Sequence, residues 1–203
     1  MILFLVLFVL WAVVHSLTAA IGLKRIFRGR FGEKAYAGWY RLLYNVISVI
    51  TFLPIYLLIP VIMPQTILWE WSRPYITLAY VMQIIGLIGL LYSLWVTNVW
   101  DFLGIRQVNW YLKGGKGSAP ETAFTTKGPY ALVRHPLYFF SLLLLWFNPI
   151  MTIGSFVFYL VATVYFYIGS YYEEKKLAAG FGNDYRAYQQ RVPRLIPFLR
   201  KPN

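Results

Sequence analysis

The sequence contains no cysteine, and among its 203 residues it has only two histidines and seven acidic residues. The absence of cysteine excludes disulfide bonds, thiolate metal ligands and a catalytic thiol. So few histidines and carboxylates make a zinc or di-iron centre difficult to assemble, because such centres need several of these side chains together. We therefore expect no metal site.

Charged residues are also scarce: they make up 13% of the chain, whereas hydrophobic residues make up 59%. Soluble domains have about 25% charged and about 45–50% apolar residues. This excess of apolar residues predicts a protein whose surface largely faces lipid. Since there is no low-complexity tract and no convincing internal repeat, we expect a single all-α integral membrane domain over residues 1–203.

Five apolar runs predict about five transmembrane helices, at about residues 2–22, 42–63, 75–99, 136–148 and 150–172. A helix of about 20 residues crosses a hydrocarbon core of about 30 Å. The first run has no basic residue before it and several after it, which favours a retained span over a signal peptide. The fourth run is short, and we interpret it with the fifth as a helical hairpin. Gly86 and Gly89 in the third run predict close packing against another helix.

The basic residues predict the orientation in the membrane. All 19 of them except Arg73 lie in three segments, 23–41, 98–135 and the tail 173–203. Because lysine and arginine accumulate on the cytoplasmic side, we expect the N-terminus outside and the tail in the cytoplasm, in a membrane such as the bacterial inner membrane. A net charge of +12 is also typical of nucleic-acid-binding proteins, but those carry their basic residues on a soluble face. We therefore expect no nucleic-acid partner.

A first polar cluster precedes the fourth run. Gly128-Pro129 is a turn signal, and Pro136 suits the first turn of a helix. Arg134 and His135 would then lie at a helix N-terminus, where exposed N–H groups favour an anion. The alternative is that Arg134 anchors the helix at the interface and His135 caps it.

A second polar cluster, Tyr171-Tyr172-Glu173-Glu174, ends the fifth run. Acidic residues at a helix C-terminus oppose the helix dipole, at a cost of about 0.3–1 kcal/mol each. One acid can pair with Arg134, because the hairpin brings the two ends together, or an acid can hold a ligand hydroxyl or a cation. Residues 181–198 indicate a short amphipathic helix and a strand or coil, which either lie on the membrane surface or fold back over both clusters.

The order and spacing of these motifs resemble the isoprenylcysteine carboxyl methyltransferase superfamily, which includes phospholipid methyltransferases. The resemblance covers about residues 98–198 and is carried by Gly128-Pro129-Tyr130, Arg134-His135-Pro136, Tyr138, Glu173-Glu174, Phe181-Gly182, Tyr185, Tyr188 and Arg191-Val192-Pro193. Further segments resemble the bacterial branch that contains methanethiol S-methyltransferases: His15-Ser16, the stretch 40–45, the stretch 104–107 and the stretch 148–152.

The resemblance implies a methyltransferase that binds S-adenosylmethionine in a cytoplasmic C-terminal region. The implied acceptor is a small thiol such as methanethiol, and the alternative is a prenylcysteine carboxylate, a phospholipid or another lipid. The implied catalytic residues are Arg134, His135 and Glu173. The residues implied to bind the cofactor are Gln107, Gly128, Tyr130, Arg134, His135, Tyr138 and Glu174.

The chemistry of these side chains is compatible with that role. A sulfonium can rest against aromatic faces such as Tyr138, a ligand carboxylate suits Arg134, and a thiol must ionise before it attacks, with His135 or Glu173 as the proton acceptor. A transporter or accessory membrane protein is a further alternative, although the chain lacks an inverted repeat. His15, within the first run, either packs inside the protein or lines a substrate pocket.

Overall fold

We describe the fold from a computed structural model, which describes residues 1–121 and 124–199. In chain order its elements are α1 (Ile2–Ala19), α2 (Ile21–Phe31), α3 (Glu33–Ile62), β1 (Ile67–Glu70), α4 (Tyr75–Val96), α5 (Val99–Leu103), α6 (Ile105–Leu112), α7 (Pro129–Leu132), α8 (Pro136–Trp146), β2 (Ile150–Thr152) and α9 (Ile153–Arg191). Residues 200–203 of the predicted tail lie outside the described residues.

The chain divides into two compact units, one of residues 1–64 and 97–123 and one of residues 65–96 and 124–203. The first unit contains α1, α2, α3, α5 and α6, and the second contains the remaining elements. The single membrane domain expected over residues 1–203 stays a prediction.

In the first unit, α1 and α3 form an antiparallel pair. The amino group of Met1 donates to the Ile62 carbonyl, and the ring of His15 contacts the Tyr44 hydroxyl. The predicted spans placed the helix ends wrongly here: α1 stops at Ala19, and α3 begins at Glu33 rather than near residue 42. Apolar runs mark the part of a helix that suits lipid, whereas helix ends depend on local backbone geometry, such as the extended conformation of Ala20.

The short helices α5 and α6 pack on α3 through a close backbone approach at Gly104. Gly104 has φ +93°, and a Cβ atom there would lie 2.5 Å from the Leu42 nitrogen, so only glycine fits. The Asn45 side-chain amide donates to the carbonyls of Phe102 and Leu103 at 2.9 and 3.1 Å. The third predicted span is also too long, since α4 ends at Val96 before this turn.

In the second unit, α4 packs against α8 at its glycines. A Cβ atom on Gly86 would lie 3.0 Å from the Leu144 side chain, and one on Gly89 would lie 2.3 Å from the Phe140 ring. The prediction that these glycines allow a close helix contact is confirmed.

A small antiparallel sheet, absent from the sequence prediction, joins β1 to β2. Ile67 pairs with Thr152, and Glu70 pairs with Ile150. The fifth helix therefore begins at Ile153 and not near residue 150. Thr152 caps it: its hydroxyl accepts from the Ser155 N–H at 3.1 Å, and the Ser155 hydroxyl accepts from the Thr152 N–H at 2.8 Å.

Helix α9 continues far beyond the predicted fifth span. It extends to Arg191, so the predicted tail begins as a continuation of this helix, and the short helix predicted within residues 181–198 is present up to Arg191. Its backbone departs from helical geometry at Gly182, with φ +57° and ψ −127°, a conformation that glycine adopts without strain. This break separates the first part of α9 from residues 183–191.

Among the described residues, four helices are long and apolar enough to cross a membrane: α1, α3, α4 and α9. Helix α8 is apolar but has only 11 residues. The prediction of an all-α membrane protein is therefore confirmed, whereas the count of about five transmembrane helices stays a prediction.

Candidate functional site

The candidate site lies in the second unit, where the segment before α8 meets the two parts of α9. Gly128 has φ +58° and precedes the single turn of α7. Val133 is extended, so the chain reverses direction before α8, whose N-cap position is His135. The backbone N–H groups of Arg134 and His135 donate to the carbonyls of Pro193 and Arg194 at 2.9 and 3.1 Å. Residues 192–194 therefore fold back over the start of α8, as one of the two sequence alternatives expected.

Arg134 is bound by groups of the protein itself. Its Nε and Nη2 donate to the two carboxylate oxygens of Glu174 at 2.6 and 3.1 Å. Its Nη1 donates to the carbonyls of Gln189, at 2.9 Å, and Val192. Because both side chains of the pair are only 10% exposed, this is a buried two-point ion pair, and the predicted pairing of an acid with Arg134 is confirmed.

The Glu174 carboxylate has two further partners. Gln189 Nε2 donates to its Oε2 at 3.0 Å, and His135 Nε2 lies 3.3 Å from its Oε1. The carboxylate thus joins the start of α8 to both sides of the Gly182 break. The sequence analysis did not single out Gln189, since a glutamine on an amphipathic helix gives no signal of a buried contact.

Glu173 has a different environment from its neighbour. Its side chain is 48% exposed, and its Oε2 lies 3.4 Å from His135 Nδ1 and accepts from the Tyr138 hydroxyl at 3.2 Å. Glu173 therefore presents a carboxylate that an incoming molecule can reach, whereas the oxygens of Glu174 are taken up by protein donors.

His135 is 6% exposed and lies between both carboxylates. Burial disfavours the charged imidazolium, but the contacts with Glu173 and Glu174 outweigh burial and raise the pKa of His135 above its ordinary value. With a carboxylate at each ring nitrogen, the protonated ring can donate to both acids.

Three rings are stacked beside these charges. The centroids of His135 and Tyr138 are 5.5 Å apart with planes at 7°, and those of Tyr138 and Phe166 are 4.7 Å apart with planes at 8°. Phe166 was not predicted as a site residue, because it is one of many aromatic residues in an apolar run. The stack places aromatic surface next to the exposed Glu173.

The other residues implied by the resemblance are placed less closely together. Tyr130 offers its carbonyl to the Tyr188 hydroxyl, and a Cβ atom on Gly128 would lie 3.1 Å from the Tyr92 hydroxyl. Gln107 belongs to the first unit, where its Nε2 donates to the carbonyls of Asp101 and Pro120 at 3.2 and 3.0 Å. Its role in cofactor binding stays a prediction.

Tyr185 carries part of the family resemblance but was not among the predicted site residues. It is 1% exposed, and its hydroxyl has no hydrogen-bond partner among the described residues. Buried hydroxyls are normally hydrogen-bonded, so the Tyr185 hydroxyl is an exception among the described residues. Tyr185 packs against Phe124 and Tyr188 at ring distances of 5.7 and 5.8 Å.

His15 lies in the first unit and joins α1 to α3. Its Nδ1 lies 2.9 Å from the Ser48 hydroxyl, and its Nε2 lies 2.6 Å from the Tyr44 hydroxyl. The Ser48 hydroxyl donates to the Tyr44 carbonyl at 2.7 Å, so it accepts the Nδ1 proton, and Tyr44 donates to Nε2. This arrangement agrees with the interpretation that His15 packs inside the protein.

Fold and site together define a helical membrane protein with a buried ion pair beside an accessible carboxylate and stacked rings. Comparison with curated proteins identifies relatives that all carry the name methanethiol S-methyltransferase. Protein 1 of Bradyrhizobium diazoefficiens is 35% identical over 136 residues, which are 66% of this chain and 47% of that protein. The Crocosphaera subtropica protein is 35% identical over 146 residues, 66% of this chain and 56% of that protein.

A third relative, protein 2 of Bradyrhizobium diazoefficiens, is 31% identical over 206 residues, which cover 96% of this chain and 72% of that protein. The chain belongs to the methanethiol S-methyltransferase family, and the predicted resemblance to this branch is confirmed. The chain spans about half the length of the first two relatives. No family model and no solved structure matches it.

Proposed function

We propose that this chain is a membrane methyltransferase that uses S-adenosylmethionine to methylate a small thiol, converting methanethiol to dimethyl sulfide. The observation that carries the proposal is the half-exposed Glu173 carboxylate beside the His135–Tyr138–Phe166 ring stack. Membership of a family whose curated relatives are named for methanethiol methylation supports the choice of acceptor.

The residues of the site fit S-adenosylmethionine. Phe166, at the end of the stack, has one ring face that Tyr138 does not cover, and this face suits a positively charged sulfonium. The accessible Glu173 suits a hydroxyl or an ammonium group of the ligand, and Tyr138 keeps the ring stack beside it. When bound, the cofactor supplies an electrophilic methyl group. We assign two further predicted contacts, Gly128 and Tyr130, to the border of the same site. The predicted roles of Arg134, His135 and Glu174 in binding the cofactor, and of Arg134 and His135 in catalysis, stay predictions.

The protein's own contribution is to position the reactants and to remove a proton. A thiol attacks as its thiolate, and Glu173 is the accessible base that accepts the S–H proton. With S-adenosylmethionine bound, the thiolate would be the methyl acceptor, and transfer of the methyl group from the sulfonium would leave dimethyl sulfide and S-adenosylhomocysteine. His135 and the Tyr138 hydroxyl hold Glu173 in place through the contacts at 3.4 and 3.2 Å, and such alignment is the main requirement of an in-line displacement.

The assay is labelled S-adenosylmethionine with methanethiol and purified protein in detergent, with dimethyl sulfide measured by gas chromatography. Glu173→Gln should lose most of the activity, whereas Glu33→Gln, which changes an acid that is 72% exposed in the first unit, should keep it. Folded wild-type protein that forms no dimethyl sulfide would overturn the thiol as acceptor. Labelled prenylcysteine ester or phospholipid in the same assay would instead support a lipid acceptor.

For the membrane arrangement, we propose five crossing segments in a bacterial inner membrane, with the N-terminus outside and the site and C-terminus in the cytoplasm. Helix α8 is about 16 Å long, so with its flanks it forms the short arm of the hairpin with α9. Because the chain has no cysteine, single cysteines report its orientation. A membrane-impermeant maleimide should label Ser72→Cys in intact cells and Arg30→Cys only after permeabilisation, and the reverse result would refute this orientation.

A further inference from the structure

A groove in the first unit, remote in sequence from the candidate site, runs between α3 and the α5–α6 segment. Its volume is about 510 Å³, which is within the range of about 300–1,000 Å³ of small-molecule sites. Its apolar wall is formed by Leu42, Trp100, Ile105, Val108 and Leu112. Trp100 is 55% exposed and Leu112 is 69% exposed, so the described part of the chain does not cover this wall.

The sequence places the groove at the level where α3 enters the apolar phase. Leu42 is the first residue of the apolar run of α3, and Arg41 directly precedes it. Tryptophan is typical of the boundary between hydrocarbon and headgroups, and Trp100 lies on the same groove. In the membrane arrangement proposed above, a groove at this depth would meet acyl chains on one side and headgroups on the other.

A fixed cation lies at the polar end of the groove. Arg106 Nη1 donates to Asp101 Oδ2 at 2.8 Å, and the Asp101 side chain is 8% exposed while that of Arg106 is 51% exposed. The buried carboxylate therefore orients the guanidinium and leaves part of it accessible. Asn109, which also lines the groove, is exposed and lies three residues further along α6, so it is on the same side of the helix as Arg106.

We propose that this groove binds one membrane phospholipid. An acyl chain packs along the wall formed by Val108, Leu112 and Trp100, and the phosphate is held by Arg106 with a hydrogen bond from the Asn109 amide. The combination of an exposed apolar wall and an oriented guanidinium matches an amphiphile with an anionic phosphate. The proposal is independent of the methyl-transfer reaction, because no residue of the candidate site takes part.

The first test is native mass spectrometry of the whole protein, extracted in mild detergent and supplied with phosphatidylglycerol at about one molecule per protein. Wild type should retain one lipid. Arg106→Gln, which removes the phosphate contact, and Val108→Trp, which fills the groove, should each lower the retained fraction at least fivefold. Arg30→Gln is the matched control, since it removes an equally exposed positive charge on α2 and should retain the lipid as wild type does.

A second measurement keeps the proposal testable if a variant fails to fold. A fluorophore on a single cysteine at Leu112→Cys should be quenched by brominated phospholipid at about one lipid per protein. The same label at Ile88→Cys, a position on α4 that is 62% exposed, should need bulk lipid. Equal lipid dependence at both positions, or retention of lipid by folded Arg106→Gln and Val108→Trp, would overturn the proposal. A Leu112→Cys disulfide between two copies would assign the groove to a second copy instead.

Discussion

Arg134 and Glu174, forty positions apart in the chain, form a two-point ion pair with N···O distances of 2.6 and 3.1 Å. The same guanidinium binds the carbonyls of Gln189 and Val192, beyond the Gly182 break. One side chain thus connects the start of α8, the first part of α9 and the C-terminal segment. This pair holds the candidate site together, and Glu173 beside it is the acid that remains accessible.

Removing one partner of the buried pair should destabilise the protein strongly. Glu174→Gln or Arg134→Gln leaves an uncompensated buried charge, and such changes cost about 3–5 kcal/mol. We expect a clear fall in Tm, measured in detergent by the loss of α-helical circular dichroism. The control is Glu33→Gln, which breaks an ion pair with Arg28. The Arg28 side chain is 47% exposed and that of Glu33 is 72% exposed, so this loss should cost about 0–1 kcal/mol. Equal Tm changes for both pairs would contradict the structural role of Arg134.

Glu173→Gln should separate activity from stability. The side chain is 48% exposed, so its amide should lower Tm less than Glu174→Gln does, but loss of a general base lowers rates about 10²–10⁴-fold. The measurement is dimethyl sulfide formation per folded molecule, together with calorimetric binding of S-adenosylhomocysteine. A Glu173→Gln enzyme with unchanged kcat would show that another group accepts the proton.

Stability should fall as pH rises above neutrality, owing to His135. The folded-state pKa of His135 is raised by Glu173 and Glu174 in spite of burial, while the unfolded value is about 6.5. The imidazolium contacts are therefore fully present below about pH 6.5, and their contribution is lost as pH rises through the raised pKa. Arg134 also lies near this group as the partner of Glu174, and the Tyr138 ring is stacked on the imidazole.

The check is Tm in detergent at intervals between pH 6 and pH 8. Wild type should lose more stability over this window than His135→Gln, whose side chain does not titrate. Parallel curves for the two proteins would exclude His135 as the source of the pH dependence.

Alanine substitutions at the helix break and just before it should have opposite effects on stability. Gly182 has φ +57° and Gly180 does not have a positive φ, while neither has an atom within 4 Å of an added Cβ. Gly182→Ala is strained by backbone conformation alone, at about 1–3 kcal/mol, and should loosen residues 183–191. Gly180→Ala should stabilise the helix by about 0.5–1 kcal/mol. Tm and the rate of tryptic cleavage after Arg186 and Arg191 measure both effects, and equal cleavage rates would show that Gly182 does not control this segment.

Much of the fold follows from patterns that are local in sequence. Runs of apolar residues predicted the membrane helices, and Gly86 and Gly89 predicted a close contact with another helix, because hydrophobicity and side-chain size act along a single helix. The structure identifies that helix as α8. Helix ends were predicted poorly: α3 begins nine residues early, and α9 continues through the predicted tail. These ends depend on single-residue backbone conformations, such as those of Ala20 and Gly182, which hydropathy does not report.

The sequence by itself therefore determined the class of protein, the family, and the two polar motifs that form the site, since those depend on residue types and their order. Only the tertiary structure decided how the two adjacent acids differ. Glu174 faces Arg134, Gln189 and His135 and is buried, whereas Glu173 is exposed beside Tyr138. Successive residues of a helix point about 100° apart, so the two acids face different sides of α9. The partners of each acid therefore depend on which distant segments pack on that side, and the local sequence does not specify this packing.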